Sequence, residues 1–200
     1  MTQLRSPSLT PLRPIVEDAC PLEVDTNTVH RHLKLSDNNT RVACVQELQL
    51  YPDHPDRFLY MFCLLCRTGL TGRCYWEVDW NFREVIAVSY RGIGREDSSD
   101  GCSFGKNDKS WVLACSDATG YCVSHNKKEK TISSPSPSSS PASKRVAVYL
   151  DHPAGTLSFY KVSSDTLIHI HTYNTTFTEP VYPGFGFWTD TASSLSLCPL

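Results

Sequence analysis

Two stretches decide the fold: Gly72-Arg73-Cys74-Tyr75-Trp76-Glu77-Val78-Asp79-Trp80 and Tyr149-Leu150-Asp151-His152-Pro153-Ala154-Gly155-Thr156-Leu157-Ser158-Phe159-Tyr160. In each, bulky and polar residues alternate, the period of a strand with one buried face. The second also carries a turn signal, Asp151 to Gly155, between two aromatic-rich runs, and so reads as a hairpin. Outward from these blocks the pattern repeats. Strands are expected at Phe58–Cys66, Val85–Tyr90, Ser110–Cys115, Tyr121–His125, Arg145–Leu150, Thr156–Val162, Leu167–Thr172, Pro180–Phe187 and Ser194–Cys198, beside Cys74–Trp80. Many short strands separated by Gly, Pro, Asn, Asp and Ser predict an antiparallel two-sheet β-sandwich. One short helical turn is expected near Asn27–Leu33. Trp76, Trp111, Phe159 and Phe185 are expected to fill the space between the sheets.

Bulk composition narrows the function. The chain has 200 residues, 40% of them hydrophobic, enough for one core without metal or disulfides. Nineteen basic and 21 acidic residues give a net charge of −2, which leaves no basic footprint for nucleic acid. The longest apolar run, Phe58 to Cys66, is about half of the ~20 residues a spanning helix needs, so no membrane segment is expected. The proline-interrupted start, Met1 to Pro14, lacks the apolar stretch of a secretory signal. Nine cysteines cannot all pair, and Cys63, Cys74, Cys115 and Cys198 lie in apolar strand-like segments. A reducing, cytoplasmic setting with free buried thiols follows as the expectation. The sequons at Asn38 and Asn174 are then chance matches.

Residues 1–18 form a Pro/Ser-rich lead-in. The segment 131–143, Ser/Pro-rich and flanked by Lys127, Lys128, Lys130, Lys144 and Arg145, reads as a solvated loop between strands. Its Ser-Pro pairs are potential phosphorylation sites, although a plain spacer is the simpler reading.

Several landmarks occur in a fixed order: Val24-Asp25-Thr26-Asn27-Thr28-Val29-His30-Arg31-His32-Leu33-Lys34-Leu35-Ser36; Tyr51 to Phe58; Leu70 to Val78; Ile86 to Tyr90; Phe104 to Trp111; Leu150 to Tyr160; and Phe177 to Phe185. In this order they resemble the PRY-SPRY family, most like the SPRY tails of fish NACHT-leucine-rich-repeat receptors, tripartite-motif proteins and stonustoxin-like proteins. Thr26 stands where that family usually has proline. The resemblance implies a PRY part over about 19–67 and a SPRY part over about 68–200. It also implies a non-catalytic module that binds a protein or peptide, the ligand-sensing tail of an innate-immunity type protein. A secreted toxin-like subunit is the alternative. No cofactor, metal, nucleic acid or membrane is expected, and no oligomer is required.

Other constellations carry less. Gly101-Cys102-Ser103-Phe104-Gly105 matches a nucleophile elbow, but an acidic, Ser-rich loop rather than a strand precedes it, so a hydrolase built on Ser103 is the weaker reading. Cys63 and Cys66 should point to opposite faces of a strand and cannot share one ion. His169 and His171 should share a face, but no third ligand is evident. Gly92-Ile93-Gly94 lacks the third glycine of a dinucleotide fingerprint. The binding surface is placed at one end of the sandwich, on Phe82, Arg83, Glu84, Arg91, Trp188 and Asp190. In the resembling family the corresponding loops line the ligand groove, and here these residues are charged or aromatic at strand ends, where core packing does not need them.

Overall fold

The computed structural model describes residues 9–11, 17–132, 144–188 and 192–200. Its strands are β1 (Leu9–Pro11), β2 (Leu33–Ser36), β3 (Arg41–Cys44), β4 (Cys63–Leu65), β5 (Arg73–Trp80), β6 (Arg83–Tyr90) and β7 (Ser110–Ser116). The remainder are β8 (Gly120–His125), β9 (Lys128–Ile132), β10 (Arg145–Asp151), β11 (Thr156–Ser163), β12 (Thr166–Asn174), β13 (Val181–Phe187) and β14 (Ser194–Leu197). They form two sheets, β1-β12-β11-β10-β5-β14-β3-β2 and β4-β13-β6-β7-β8-β9, whose named strands all pair antiparallel.

The period-2 pattern explains the sandwich. Trp76 and Val78 of β5, Val146, Val148 and Leu150 of β10, and Leu157 and Phe159 of β11 face inward from the larger sheet. They meet Ile86 and Val88 of β6, Trp111 and Leu113 of β7, Val123 of β8 and Phe185 of β13. All four expected core aromatics are buried. The hairpin at Asp151–Gly155 is present: Ala154 N–H donates to the Asp151 carboxylate at 3.0 Å, and Gly155 has φ +71°. A side chain there would collide with the Thr175 carbonyl, 1.9 Å from the Cβ position.

Within the segment before β5, the stretch 52–57 is joined to the turns at 26–29 by Arg57, which is 1% exposed. Its guanidinium donates to the carbonyls of Pro52 (3.1 and 2.7 Å), Thr26 (2.9 Å) and Val29 (2.7 Å). That is why an arginine stands at position 57 in the run Tyr51 to Phe58: a planar fork of donors can satisfy several diverging carbonyls at once.

Several expectations are corrected. Only Cys63–Leu65 of the run Phe58–Cys66 is strand, because Leu59 and Tyr60 are exposed and the preceding chain bends. Asn27–Leu33 is a pair of turns leading into β2, and the one helical element among the described residues is the 3-10 turn Asp100–Cys102. Cys74 is not a free thiol: it is bonded to Cys20, with Cα atoms 5.6 Å apart. Cys44, Cys63, Cys66, Cys102, Cys115, Cys122 and Cys198 are free. His169 and His171 do not share a face. The β11–β12 register slips between Phe159 and Tyr160, so His171 pairs with core-facing Phe159 while His169 pairs with Tyr160 on the outer face. Cys63 and Cys66 do separate to opposite faces, in different apolar clusters. Thr131 and Ile132 belong to β9, and the rest of the Ser/Pro segment lies outside the described residues.

Candidate functional site: a groove on the six-stranded sheet

The described residues cover only half of the outer face of the six-stranded sheet. Ile93 and Phe104, from the connection between β6 and β7, pack on Cys63, Leu65, Ala87 and Val112. Gly184 makes this possible, since a Cβ there would stand 2.8 Å from both Leu65 and Phe104. Beyond Phe104 the described residues leave a groove of about 300 Å³ on this face. Its floor is made of small residues: Val85, Ala114, Cys122 and Gly186. They alternate with large inward residues along each strand, which makes the face both apolar and deep.

Each wall is fixed locally. On one side the Phe104 loop is held by Asn107, whose amide donates to the carbonyls of Asp100 (2.9 Å) and Ser103 (2.8 Å). Ser110 Oγ accepts from Gly105 N–H at 2.8 Å, and Ser124 Oγ donates to the Gly105 carbonyl at 3.0 Å. Lys106 and Glu129 form an ion pair across this side. The turn after β7 closes one end, with Ser116 Oγ accepting from Ala118 and Thr119 N–H. On the other wall Trp188, 46% exposed, lies under the guanidinium of Arg83, whose Cζ is 4.0 Å from the ring centroid.

Glu84 shapes this wall from below. It is fully buried, and its carboxylate accepts from the backbone N–H groups of Asn81 (3.1 Å), Phe82 (3.1 Å) and Ser194 (2.9 Å). Burial pushes its acid upward in pKa, while these backbone donors pull the other way. It therefore fixes the β5–β6 turn and the start of β14, and is not available to a ligand. Phe82, at the tip of that turn, is 39% exposed.

Of the residues expected to bind, the structure brings Phe82, Arg83 and Trp188 to one end of the sheet, with Glu84 beneath them. Arg91 is not with them. It follows the far end of β6, eight residues and so about 26 Å from Arg83 along an extended strand. There it is bonded to Asp25 (2.8 Å) and Asp56 (2.6 Å), joining the segment before β5 to the β6–β7 connection. One end of the sandwich cannot hold both arginines. Asp190 lies outside the described residues. Met61, Phe104, Lys106, Ala114 and Glu129 were not anticipated; the small residues alternating along β7 and β8 were the available signal.

Ser103 follows a 3-10 turn rather than a strand, and no histidine is hydrogen-bonded to its hydroxyl among the described residues. A larger notch of about 670 Å³ lies against Trp76, Glu77, Leu197 and Leu200. Its buried carboxylate is already occupied, since Glu77 accepts from Tyr75 Oη at 2.5 Å and pairs with Arg145.

Comparison with known proteins agrees with this architecture. The SPRY-associated domain (PRY) model matches residues 22–70 and the SPRY domain model matches residues 73–197. The chain is 42% identical over 168 residues to stonustoxin subunit alpha of Synanceia horrida, covering 84% of this chain and 23% of the toxin subunit. It is 32% identical to tripartite motif-containing protein 14 of Mus musculus, covering 82% of this chain and 37% of that protein. Among solved structures, stonustoxin superposes with a TM-score of 0.84 at 39% identity over 92% of this chain and 29% of its own. The TRIM65 PSpry domain superposes with a TM-score of 0.80 at 22% identity, covering 94% of this chain and 95% of its own, a likeness of fold. The chain thus spans less than a quarter of the toxin subunits' length.

Proposed function

The chain belongs to the PRY-SPRY family, and from that premise we propose that it is a non-catalytic recognition module that binds an extended protein segment in the groove on its six-stranded sheet. The observation that carries this reading is Trp188, exposed and braced by Arg83 at the lip of an apolar groove whose floor is a rigid sheet. An aromatic anchor beside a desolvated floor is where binding energy concentrates. A preformed floor also costs little to order on association. Selection of random displayed peptides on the purified domain tests it. Trp188→Ala and Ala114→Phe, each with an unchanged melting temperature, should lose the peptides that the unmodified domain enriches. Enrichment of the same peptides by both variants would overturn the assignment.

The setting we propose is that of a cytoplasmic, ligand-sensing tail of an innate-immunity type protein, supported by the tripartite-motif relatives and the seven free cysteines. The secreted toxin-like subunit is favoured instead by the Cys20–Cys74 bond and by the likeness to stonustoxin. Mass spectrometry of the protein from its native tissue, alkylated before reduction, separates them. An intact Cys20–Cys74 bond supports the secreted reading, and alkylation of both supports the cytoplasmic one.

A further inference from the structure

We infer that the groove selects peptides bearing a carboxylate, read by Arg83, next to an apolar side chain seated on the Val85–Ala114 floor; this rests on the groove being the recognition surface. Arg31, Arg67, Arg73, Arg91 and Arg145 each pair with a carboxylate, and Arg57 and Arg95 are satisfied by backbone carbonyls. Arg83 has no hydrogen-bond acceptor or acid among the described residues, yet it is not a loose surface cation, because Trp188 holds its flat face at 4.0 Å. Stacking occupies the face of a guanidinium and leaves the in-plane N–H donors pointing outward, in the fork that matches a carboxylate.

The surroundings favour an anion there. The acid beside Arg83 in sequence, Glu84, is turned inward onto backbone donors. The one acid lining the groove, Glu129, is neutralised by Lys106 on the opposite wall. A carboxylate at the exposed Arg83 edge therefore meets a positive charge that no acid among the described residues compensates, beside an apolar floor. A lysine or arginine at the same peptide position meets repulsion. Ala114 and Gly186 leave room for an apolar side chain next to the acid, between the walls of Trp188 and Phe104.

A charge swap tests this. Peptides enriched from a random displayed library on the unmodified domain are aligned, and the best is synthesised with its acidic position as found, as the amide analogue, and as lysine. Affinities are measured for the unmodified domain, Arg83→Lys and Arg83→Glu. The expected result is a shared Asp or Glu among the selected peptides. The amide analogue or Arg83→Glu should lose about tenfold or more, and the lysine peptide should regain affinity on Arg83→Glu, as for one charge-assisted pair. Arg83→Lys should retain part of the binding, which separates loss of charge from collapse of the Trp188 wall. Peptides that need Trp188 but show no acidic preference, or that bind Arg83→Glu unchanged, would overturn the carboxylate reading and leave the groove intact. Peptides indifferent to both Trp188 and Ala114, or no enrichment at all, would overturn the groove itself.

Discussion

Replacing Arg57 by methionine should be among the most damaging single changes in this domain, although Arg57 touches no ligand. The side chain is 1% exposed and makes four N–H to carbonyl bonds at 2.7–3.1 Å, to Pro52, Thr26 and Val29. Hydrogen bonds to a charged donor contribute about 1.5–3 kcal/mol each. Three carbonyls left without donors would therefore cost about 5–9 kcal/mol before any compensation. Relief from burying a guanidinium returns several kcal/mol, and the methionine stem keeps the apolar contacts. The net loss should be about 3–5 kcal/mol. Urea unfolding followed by tryptophan fluorescence reads it as a midpoint lowered by about 1–2 M, for a slope of 2–3 kcal/mol per M. Arg57→Lys should recover only part, because a single ammonium cannot reach carbonyls that diverge around a planar fork. A midpoint for Arg57→Met within about 0.3 M of the unmodified domain would refute the idea that this cation joins the stretch 52–57 to the turns at 26–29.

Trp111→Ala should cost about 3–5 kcal/mol, since its buried ring stacks on His125 at 4.8 Å and meets Tyr90 and Phe177 edge-on; calorimetry with an unchanged melting temperature would mean that the core is elsewhere. His30 should make stability fall in mild acid. Burial, with the neighbouring His32 and Arg31 adding to it, lowers its pKa from 6.5 to about 4, against the opposing bond to the Leu59 carbonyl. Above pH 6.5 it is neutral in both folded and unfolded chains. Between pH 6.5 and 4 only the unfolded chain takes up the proton, so about 2–3 kcal/mol of stability is lost across that window. Denaturant midpoints of His30→Gln should show a shallower decline there, and parallel pH profiles for the variant and the unmodified domain would contradict it.

The sandwich was legible because its central strands alternate strictly. Val146, Val148 and Leu150 go inward and Ala147 and Tyr149 outward, and β5 and β6 behave alike. Strands that depend on backbone pairing were not legible. Lys128–Ile132 has no apolar face and is an edge strand fixed by the Asn126–Lys127 turn, whose residues have φ +49° and +64° without a glycine. Leu9–Pro11 pairs with β12 from inside a Pro/Ser-rich segment, where composition argued for no structure. In the site, Arg83 and Trp188 could be singled out because strand-end charge and aromaticity exceed what packing needs. Arg91 looked the same in sequence, and only the fold reveals Asp25 and Asp56, 66 and 35 residues away, as its partners. Glu84 misled for a related reason: a carboxylate at a strand start is normally solvated, and here three backbone donors bury it. The histidine pair failed because a bulge at Ile170 breaks the period on which the reading relied.

The most direct measurement is the pattern of intermolecular nuclear Overhauser effects between the labelled domain and a peptide selected on it. Bound in the groove, the peptide should show contacts to the Ala114 methyl, the Val85 methyls and the Trp188 indole, three groups that line the same cavity. Contacts instead to Tyr182 and the Arg91 cluster, or to Tyr149 and Tyr160 on the outer face of the eight-stranded sheet, would contradict the claim that this domain recognises its ligand across the open half of the six-stranded sheet.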